Sequence, residues 1–348
     1  MSVFDLPSFD DHEGVHVFDD SATGLRAIIA VHSTYRGPAA GGCRYWHYAD
    51  SEAALIDALR LSRGMSYKNA LAGLPMGGGK AVILKRSAFP KTEEYLEAFG
   101  RAINSLGGQY VTAEDVGMSD DDMTVIARET AYVSGLPVAD DKAGGNPGPF
   151  TADGVFVGMR AAVRHKLGRE GFRGVHVAIQ GLGSVGRVLA RRLAEDGAKL
   201  TVADIDEGRA AKLAGELRAS VVSTEDILSV EADVLAPCAL GAVLNEETIP
   251  HLNCEIVAGA ANNQLRRPED GERLKDRGIL YAPDYVLNAG GIINVMAEYL
   301  GDGDASAVRK RISEIEGRVQ TLLERAEAEG QPTNAVADQM AREAIGRG

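Results

Sequence analysis

Cysteine is scarce in this 348-residue chain: Cys43, Cys238 and Cys254 are an odd, widely separated set. Three scattered thiols do not staple a fold or build a metal site, so they read as free packing residues in a reducing compartment. The opening segment MSVFDLPSFDDHEGVHVFDD lacks the charged-then-apolar order of an export leader. No apolar run reaches the roughly 18 residues that cross a bilayer. A cytoplasmic protein with no membrane partner is therefore expected. Positive charge is also short: 37 Lys and Arg face 50 Asp and Glu, a net charge of -13. That excludes a general nucleic-acid binder, which needs a basic face to neutralise phosphates, and docking on an anionic membrane. The 7 histidines form no Ser/His/Asp pattern, which disfavours hydroxy-acid chemistry built on a His–carboxylate pair. His12-Glu-Gly-Val-His16 has the letters of a helical zinc motif, but Gly14 interrupts it and the following VHVFDDSATG reads as strand and turn, so no metal is expected. Repeats and low-complexity tracts are absent.

Glycine, by contrast, is abundant: 41 residues, well above the usual share of about 7%. The glycines cluster between apolar segments, where backbone turns sharply or approaches something closely. At roughly 100–200 residues per domain, the length suggests two domains. In the first, short apolar runs from Leu25, Ala81 and Tyr110 alternate with helical patterns, one of them capped at Asp50-Ser51. A connector is expected at DKAGGNPGPF (141–150), with a helix following from Gly154. The second half alternates regularly. Strands are expected at Val175–Ile179, at Lys199–Asp204 and within DVLAPC, EIVAG and ILYAPD, with helices at Arg187–Asp196 and up to about Arg218. That pattern implies right-handed βαβ units and a parallel sheet. A long charged amphipathic helix from about Val308 and a short one after Pro332 close the chain.

Gly181-Leu182-Gly183-Ser184-Val185-Gly186 is a G-x-G-x-x-G that follows a strand and opens a helix. Gly181 permits the turn, Gly183 admits a pyrophosphate, and Gly186 allows helix and strand to pack closely. The helix N-terminus then offers free N–H donors to phosphate. Asp204 ends the next strand, 18 positions after Gly186, where a carboxylate accepts from a ribose 2′-hydroxyl and repels a 2′-phosphate. The expectation is NAD rather than NADP, with Arg209 nearby as the residue that could soften the preference.

Lysine is the less-used cation, 10 against 27 arginines, yet Lys68 and Lys80 flank the small, apolar stretch NALAGLPMGGG. A lysine at the rim of an apolar strand loses hydration, which lowers its pKa; it can then shuttle protons, as arginine cannot. Asp115, in YVTAEDVG, follows a strand and could orient Lys80 or a water. The run GGGK is not a phosphate-binding P-loop, because Leu74 and Ala81 stand where that motif needs glycine and a hydroxyl residue.

Six segments carry a resemblance: GPAAGGCR (37–44), LSRGMSYKNALAGLPMGGGKAVI (61–83), TAEDVG (112–117), APCALGA (236–242), GAANNQL (259–265) and YAPDYVLNAGGIINV (281–295). Together they resemble the Glu/Leu/Phe/Val amino-acid dehydrogenase family, and within it the short leucine, valine and phenylalanine enzymes. The resemblance implies an α/β fold of two domains separated by a cleft. Residues 1–145 would bind substrate, carry catalysis and mediate oligomerisation; 146–325 would form a Rossmann-type doubly wound parallel sheet for NAD; 326–348 would be a C-terminal helical segment packing back on the first domain. It implies oxidative deamination of an L-amino acid to a 2-oxo acid and ammonia, run in either direction, in a homo-oligomer. Lys80 and Asp115 would be catalytic. Lys68 would bind the α-carboxylate, with Ala40, Gly41, Gly42, Ala113, Asn288, Ile292 and Val295 on the substrate side. Thr151, Ala239, Ala261 and Asn262 would join the glycine turn and Asp204 around the cofactor. GNPGPFTA and NAGGIINV look like the leucine enzymes, so branched aliphatic substrates are expected. Ala40 and LPMGGGK tilt toward a roomier pocket, which keeps aromatic substrates as the alternative, while Cys43 and Met118 stand where threonines are expected and alter pocket detail. No cation is evident for a glutamate side chain. A catalytically silent dinucleotide sensor is disfavoured by retention of both lysines and Asp115.

Overall fold

The computed structural model describes residues 2–136, 143–301 and 304–348. The expected connector therefore begins, at residues 141–142, outside the described residues. The chain divides into two compact units: Met1–Asn146 with Asn294–Ala305 and Ala341–Gly348, and Pro147–Ile293 with Ser306–Met340.

The first unit is built on β1 (Gly14–Asp20), β2 (Leu25–Ser33), β3 (Ala39–Trp46), α1 (Ser51–Leu71), β4 (Gly77–Leu84), α2 (Glu93–Asn104), β5 (Tyr110–Glu114) and α3 (Asp120–Ile126). Its five strands lie in the order β1-β2-β4-β3-β5. β1 and β2 and then β2 and β4 pair antiparallel, whereas β3 runs parallel to both β4 and β5. Both faces are covered, and β2 shows how: Ala27, Ile29 and Val31 face a core shared with α2 and α3, while Ile28 and Ala30 face a second core against α1. A strand buried on two faces loses the apolar–polar alternation and reads as a continuous apolar run. α1 starts where the Asp50 carboxylate accepts from Ala53 N at 2.7 Å, and its buried face is mostly small: Ala54, Ala58, Ser62, Ser66 and Ala70.

The first unit departs from the sequence expectation in two places. β4 begins at Gly77, so the glycine run and Lys80 lie within the strand rather than before it. β3 was not foreseen, because GPAAGGCR has the composition of a loop; it is a strand because its glycines are held between β4 and β5.

The second unit comprises α4 (Gly148–Leu167), β6 (His176–Gln180), α5 (Gly186–Glu195), β7 (Lys199–Ala203), α6 (Glu207–Leu217), β8 (Ser220–Val221), β9 (Ala232–Pro237), β10 (Cys254–Val257), α7 (Asp270–Asp276), β11 (Leu280–Tyr281) and α8 (Asp284–Leu287). α9 (Gly290–Leu300), α10 (Ala305–Glu329) and α11 (Thr333–Ala344) follow. α4 starts six residues earlier than expected, since Pro149 fits its first turn, and it stops at the left-handed Gly168. Six strands pair in the order β11-β10-β9-β6-β7-β8, all parallel. Numbered from β6, this is the doubly wound order 3-2-1-4-5-6, in which ligands bind beyond the carboxyl ends of the strands where the order reverses. That point lies between β6 and β9. Among the described residues no helix is long and apolar enough to cross a membrane.

The glycines of β4 bring elements of the protein together. A Cβ on Gly78 would lie 2.0 Å from Ser66 N of α1, and one on Gly79 would lie 2.7 Å from Tyr110 Cδ2. Gly64, on the same helix, has nothing within 4 Å of that position. Gly78→Ala should therefore destabilise the protein by about 1–3 kcal/mol or more. Gly64→Ala should stabilise it by about 0.5–1 kcal/mol through better helix propensity. Urea unfolding midpoints read both; equal midpoints for the two variants would contradict tight α1–β4 packing.

Candidate active site

Lys80 projects from β4 and Asp115 follows the last residue of β5, so the two flank β3 in the sheet. Across β3, Lys80 Nζ approaches Asp115 Oδ2 to 2.7 Å, with the lysine side chain only 7% exposed and the aspartate 22%. The glycines of β3 make room for this. A Cβ on Gly42 would sit 2.8 Å from Asp115 Cβ, and one on Gly41 would sit 1.9 Å from Gly79 O. Ala40 and Ala113 are buried on the same strands. Asp115 Oδ2 also accepts from Arg44 Nε at 3.2 Å, and Arg44 Nη1 continues to Asp57 Oδ2 at 3.0 Å, where Tyr48 also donates. Arg44 was not among the residues singled out from sequence. Its signal was present: GGCR places a cation two residues beyond Gly42 on the same strand.

Burial raises the Asp115 carboxyl, but the Lys80 ammonium and the Arg44 guanidinium outweigh it and hold it down at about 2. Asp115 is therefore an anion at every ordinary pH: it accepts hydrogen bonds and stabilises a cation, and it has no proton of its own to give. Beside it Cys43 is fully buried, and burial pushes its thiol up to about 12. That is a packing residue rather than a nucleophile.

Lys68 lies half-buried on α1. The next residue, Asn69, fastens the helix to the sheet, donating from Nδ2 to Gly77 O at 2.6 Å and to Ala40 O at 3.3 Å. Its Oδ1 is buried with no hydrogen-bond partner. In the same unit Val295 is buried on α9. The His12–His16 pair is split: His12 Nε2 meets Leu59 O and Ser62 Oγ, and His16 stands in β1.

In the second unit the glycine turn sits where the sheet order reverses, between the ends of β6 and β9. Gly181 takes φ +93° and its Cβ position is closed by Ala239; that of Gly186 is closed by Gly181 O, 2.0 Å away. Gly183 has nothing within 4 Å. This is the division of labour a pyrophosphate requires, with two glycines serving turn and packing and the middle one leaving open space. No side chain caps the N-terminus of α5, leaving its N–H groups to the turn that holds Leu182, Ser184 and Val185. Asp204 Oδ2 accepts from Leu182 N at 2.6 Å, and Oδ1 accepts from Asp206 N at 2.8 Å and faces Arg209 Nη1 at 3.3 Å. Burial raises the Asp204 carboxyl, but the two backbone donors and Arg209 carry it below its usual value. Ile205, next to it, is 93% exposed and Leu240, next to Ala239, is 80% exposed. Both are apolar flanks of the turn with no local sequence signature. These residues fit a dinucleotide.

Thr151 lies in the first turn of α4, its Oγ1 bonded to Pro147 O at 2.9 Å. Asn288 is buried and donates from Nδ2 to Asn262 Oδ1 at 2.8 Å and to Ala260 O at 3.1 Å, which brings two of the expected residues together beside Ala261. Its Oδ1 is buried and without a partner, an acceptor left for something else. Ile292 is half-buried. Gly290 and Gly291 pack against Phe150 O and Thr151 Oγ1 at the start of α4.

The depressed Asp115 gives a pH signature. Folded at about 2 against an ordinary 3.8, it contributes roughly 2 kcal/mol of stability, fully present above about pH 4 and lost as pH falls through about 2. The stability difference between wild type and Asp115→Asn should shrink by that amount over this window in chemical denaturation. A difference independent of pH would show that Asp115 is not held ionised by its neighbours.

Comparison with known proteins places this geometry. Residues 12–132 match the model of the Glu/Leu/Phe/Val dehydrogenase dimerisation domain, and residues 201–346 match that of glutamate/leucine/phenylalanine/valine dehydrogenase. Leucine dehydrogenase of Thermoactinomyces intermedius is 46% identical over 99% of this chain and 94% of its own length. Valine dehydrogenase of Streptomyces virginiae is 45% identical over 95% and 93%. The crystal structure of L-tryptophan dehydrogenase from Nostoc punctiforme superposes with a TM-score of 0.86 at 42% identity, covering 96% of each chain. The chain belongs to the Glu/Leu/Phe/Val dehydrogenase family and is an amino-acid dehydrogenase that uses a nicotinamide dinucleotide.

Proposed function

We propose that this enzyme is an NAD-dependent dehydrogenase of branched aliphatic L-amino acids, interconverting leucine, valine or isoleucine with the 2-oxo acid and ammonia. The observation that carries the reading is the buried Lys80–Asp115 pair at 2.7 Å, in a chain 44–46% identical to leucine dehydrogenases over its full length. On this reading Lys68 takes the substrate carboxylate as a point charge. Asp115, an anion at working pH, steadies the amino group and the Lys80 ammonium. Bound nicotinamide supplies the acceptor for the substrate's α-hydride. Lys80 then moves protons: its amine form takes one from the water that adds to the substrate iminium, and its ammonium returns one to the departing nitrogen. Asn288, Ile292 and Val295, with Ala40, Gly41, Gly42 and Ala113, complete the substrate side; the branched side chains among them favour aliphatic substrates.

The glycine turn (181–186), with Asp204, Ala239 and Ala261, receives the dinucleotide, and Thr151 and Asn262 its nicotinamide end. Asp204 supports NAD. Its ion pair with Arg209 leaves that cation partly spent, and a 2′-phosphate would add negative charge beside a carboxylate already held ionised. The match to a dimerisation domain supports a homo-oligomer formed through the first unit. A second reading, aromatic substrates, has its own support in the 43% identity to L-tryptophan dehydrogenase of Nostoc punctiforme.

Reduced cofactor formation at alkaline pH decides among these readings. L-Leucine and L-valine with NAD should exceed L-phenylalanine, L-tryptophan and L-glutamate in kcat/KM by about tenfold or more, and NAD should exceed NADP similarly. An aromatic substrate at the top of the panel would replace the aliphatic reading, and an NADP preference would overturn the role of Asp204.

A further inference from the structure

The segment after α11 ends in a guanidinium with four partners. Arg347 Nη1 donates to Asp10 O and to His32 Nε2, each at 2.8 Å, and Nη2 donates to Asp11 O and His32 O, each at 2.8 Å. His32, in β2, is completely buried. Nε2 also lies 3.2 Å from Asp10 Oδ2, but arginine can only donate and its contact is the shorter, so Nε2 accepts from Arg347; the ring proton then sits on Nδ1 and is donated to Ser66 Oγ at 2.7 Å. Burial, reinforced by Arg347, pushes the His32 imidazole down to about 3, which keeps it in this neutral form. The guanidinium thus selects the tautomer that grips α1.

Ser66 and Tyr67 immediately precede Lys68. Tyr67 joins the same cluster: its hydroxyl donates to Asp10 Oδ2 at 3.4 Å and receives Arg342 Nη1 at 3.5 Å, and Arg342 also pairs with Asp10 at 3.2 Å. Ser66 is also where α1 presses on β4, opposite Gly78 and two residues from Lys80. A displacement of Ser66 has no slack to absorb it, because Gly78 leaves no gap.

We propose that Arg347 is a positioning residue for the amino-acid side of the reaction: through His32 and Ser66 it fixes where α1 presents Lys68. The proposal rests on the reading that Lys68 binds the substrate carboxylate. It also assigns a task to a residue far along the chain from every catalytic motif. Lysine cannot substitute, since a single ammonium does not reproduce a planar fork with four acceptors in fixed directions.

The test is a steady-state comparison of the full-length enzyme with Arg347→Ala, Arg347→Lys and Lys68→Ala, run well below the melting temperature of each. Arg347→Ala should raise KM for L-leucine by about tenfold, the scale of a small misplacement transmitted from outside the site. KM for NAD should stay within about twofold, because the cofactor residues lie on other elements. Arg347→Lys should show the same split. A fall in melting temperature with KM for leucine unchanged would make Arg347 merely structural and overturn the proposal. If Arg347→Ala does not fold, Arg347→Lys is read by the same criterion. An unchanged KM in Lys68→Ala would overturn the reading of Lys68 itself. A raised KM there with none in the Arg347 variants would overturn only the positioning role.

Discussion

An ammonium group enclosed in the sheet of the first unit requires a carboxylate within hydrogen-bond reach. Removing an ion from water costs several kcal/mol, so Lys80 is tolerated only because Asp115 answers it at 2.7 Å. Asp115 in turn is answered by Arg44, and Arg44 by Asp57. The chain of alternating charges leads from the buried Lys80 on β4 across the sheet to Asp57 on α1. Much of the surrounding sequence follows from holding it. Lys80 and Asp115 stand on opposite sides of β3, so β3 carries glycine where a side chain would displace Asp115. β4 carries glycine where α1 and Tyr110 press in. Asn69 fixes the helix to both strands. The local abundance of glycine around Lys80 is a packing requirement imposed by a charged pair that must be both dry and rigid.

The dinucleotide side follows a different logic. There the open space at Gly183 is the functional feature, and its neighbours Gly181 and Gly186 are closed by protein atoms. Asp204 serves the turn directly through Leu182 N as well as facing outward. A substitution at Asp204 therefore disturbs the shape of the phosphate loop as well as any contact with a ribose.

The sequence is informative where one local pattern has one physical meaning. Strand, glycine turn, helix and acidic residue over 175–204 recover the start of the parallel sheet, because each signal is local and the strands are buried on both faces. Lys80, Lys68 and Asp115 stand out because lysine is sparse and small residues surround it. β3 escapes notice because its glycines are explained only by partners on β4 and β5, which local composition does not reveal. The same holds for Arg44, whose partner Asp115 is 71 residues away in the chain. The grip of Arg347 on Asp10 and His32 spans more than 300 residues and leaves no local signature.

Lys80 and Asp115 act as one unit. A double-mutant cycle on kcat/KM for L-leucine, with Lys80→Ala, Asp115→Ala and the combined variant, tests this most directly. If each group works only through the other, both single variants lose activity by orders of magnitude and the double variant is within about threefold of the slower single. If the two losses multiply in the double variant, the groups act independently, and the pairing on which the account rests is contradicted.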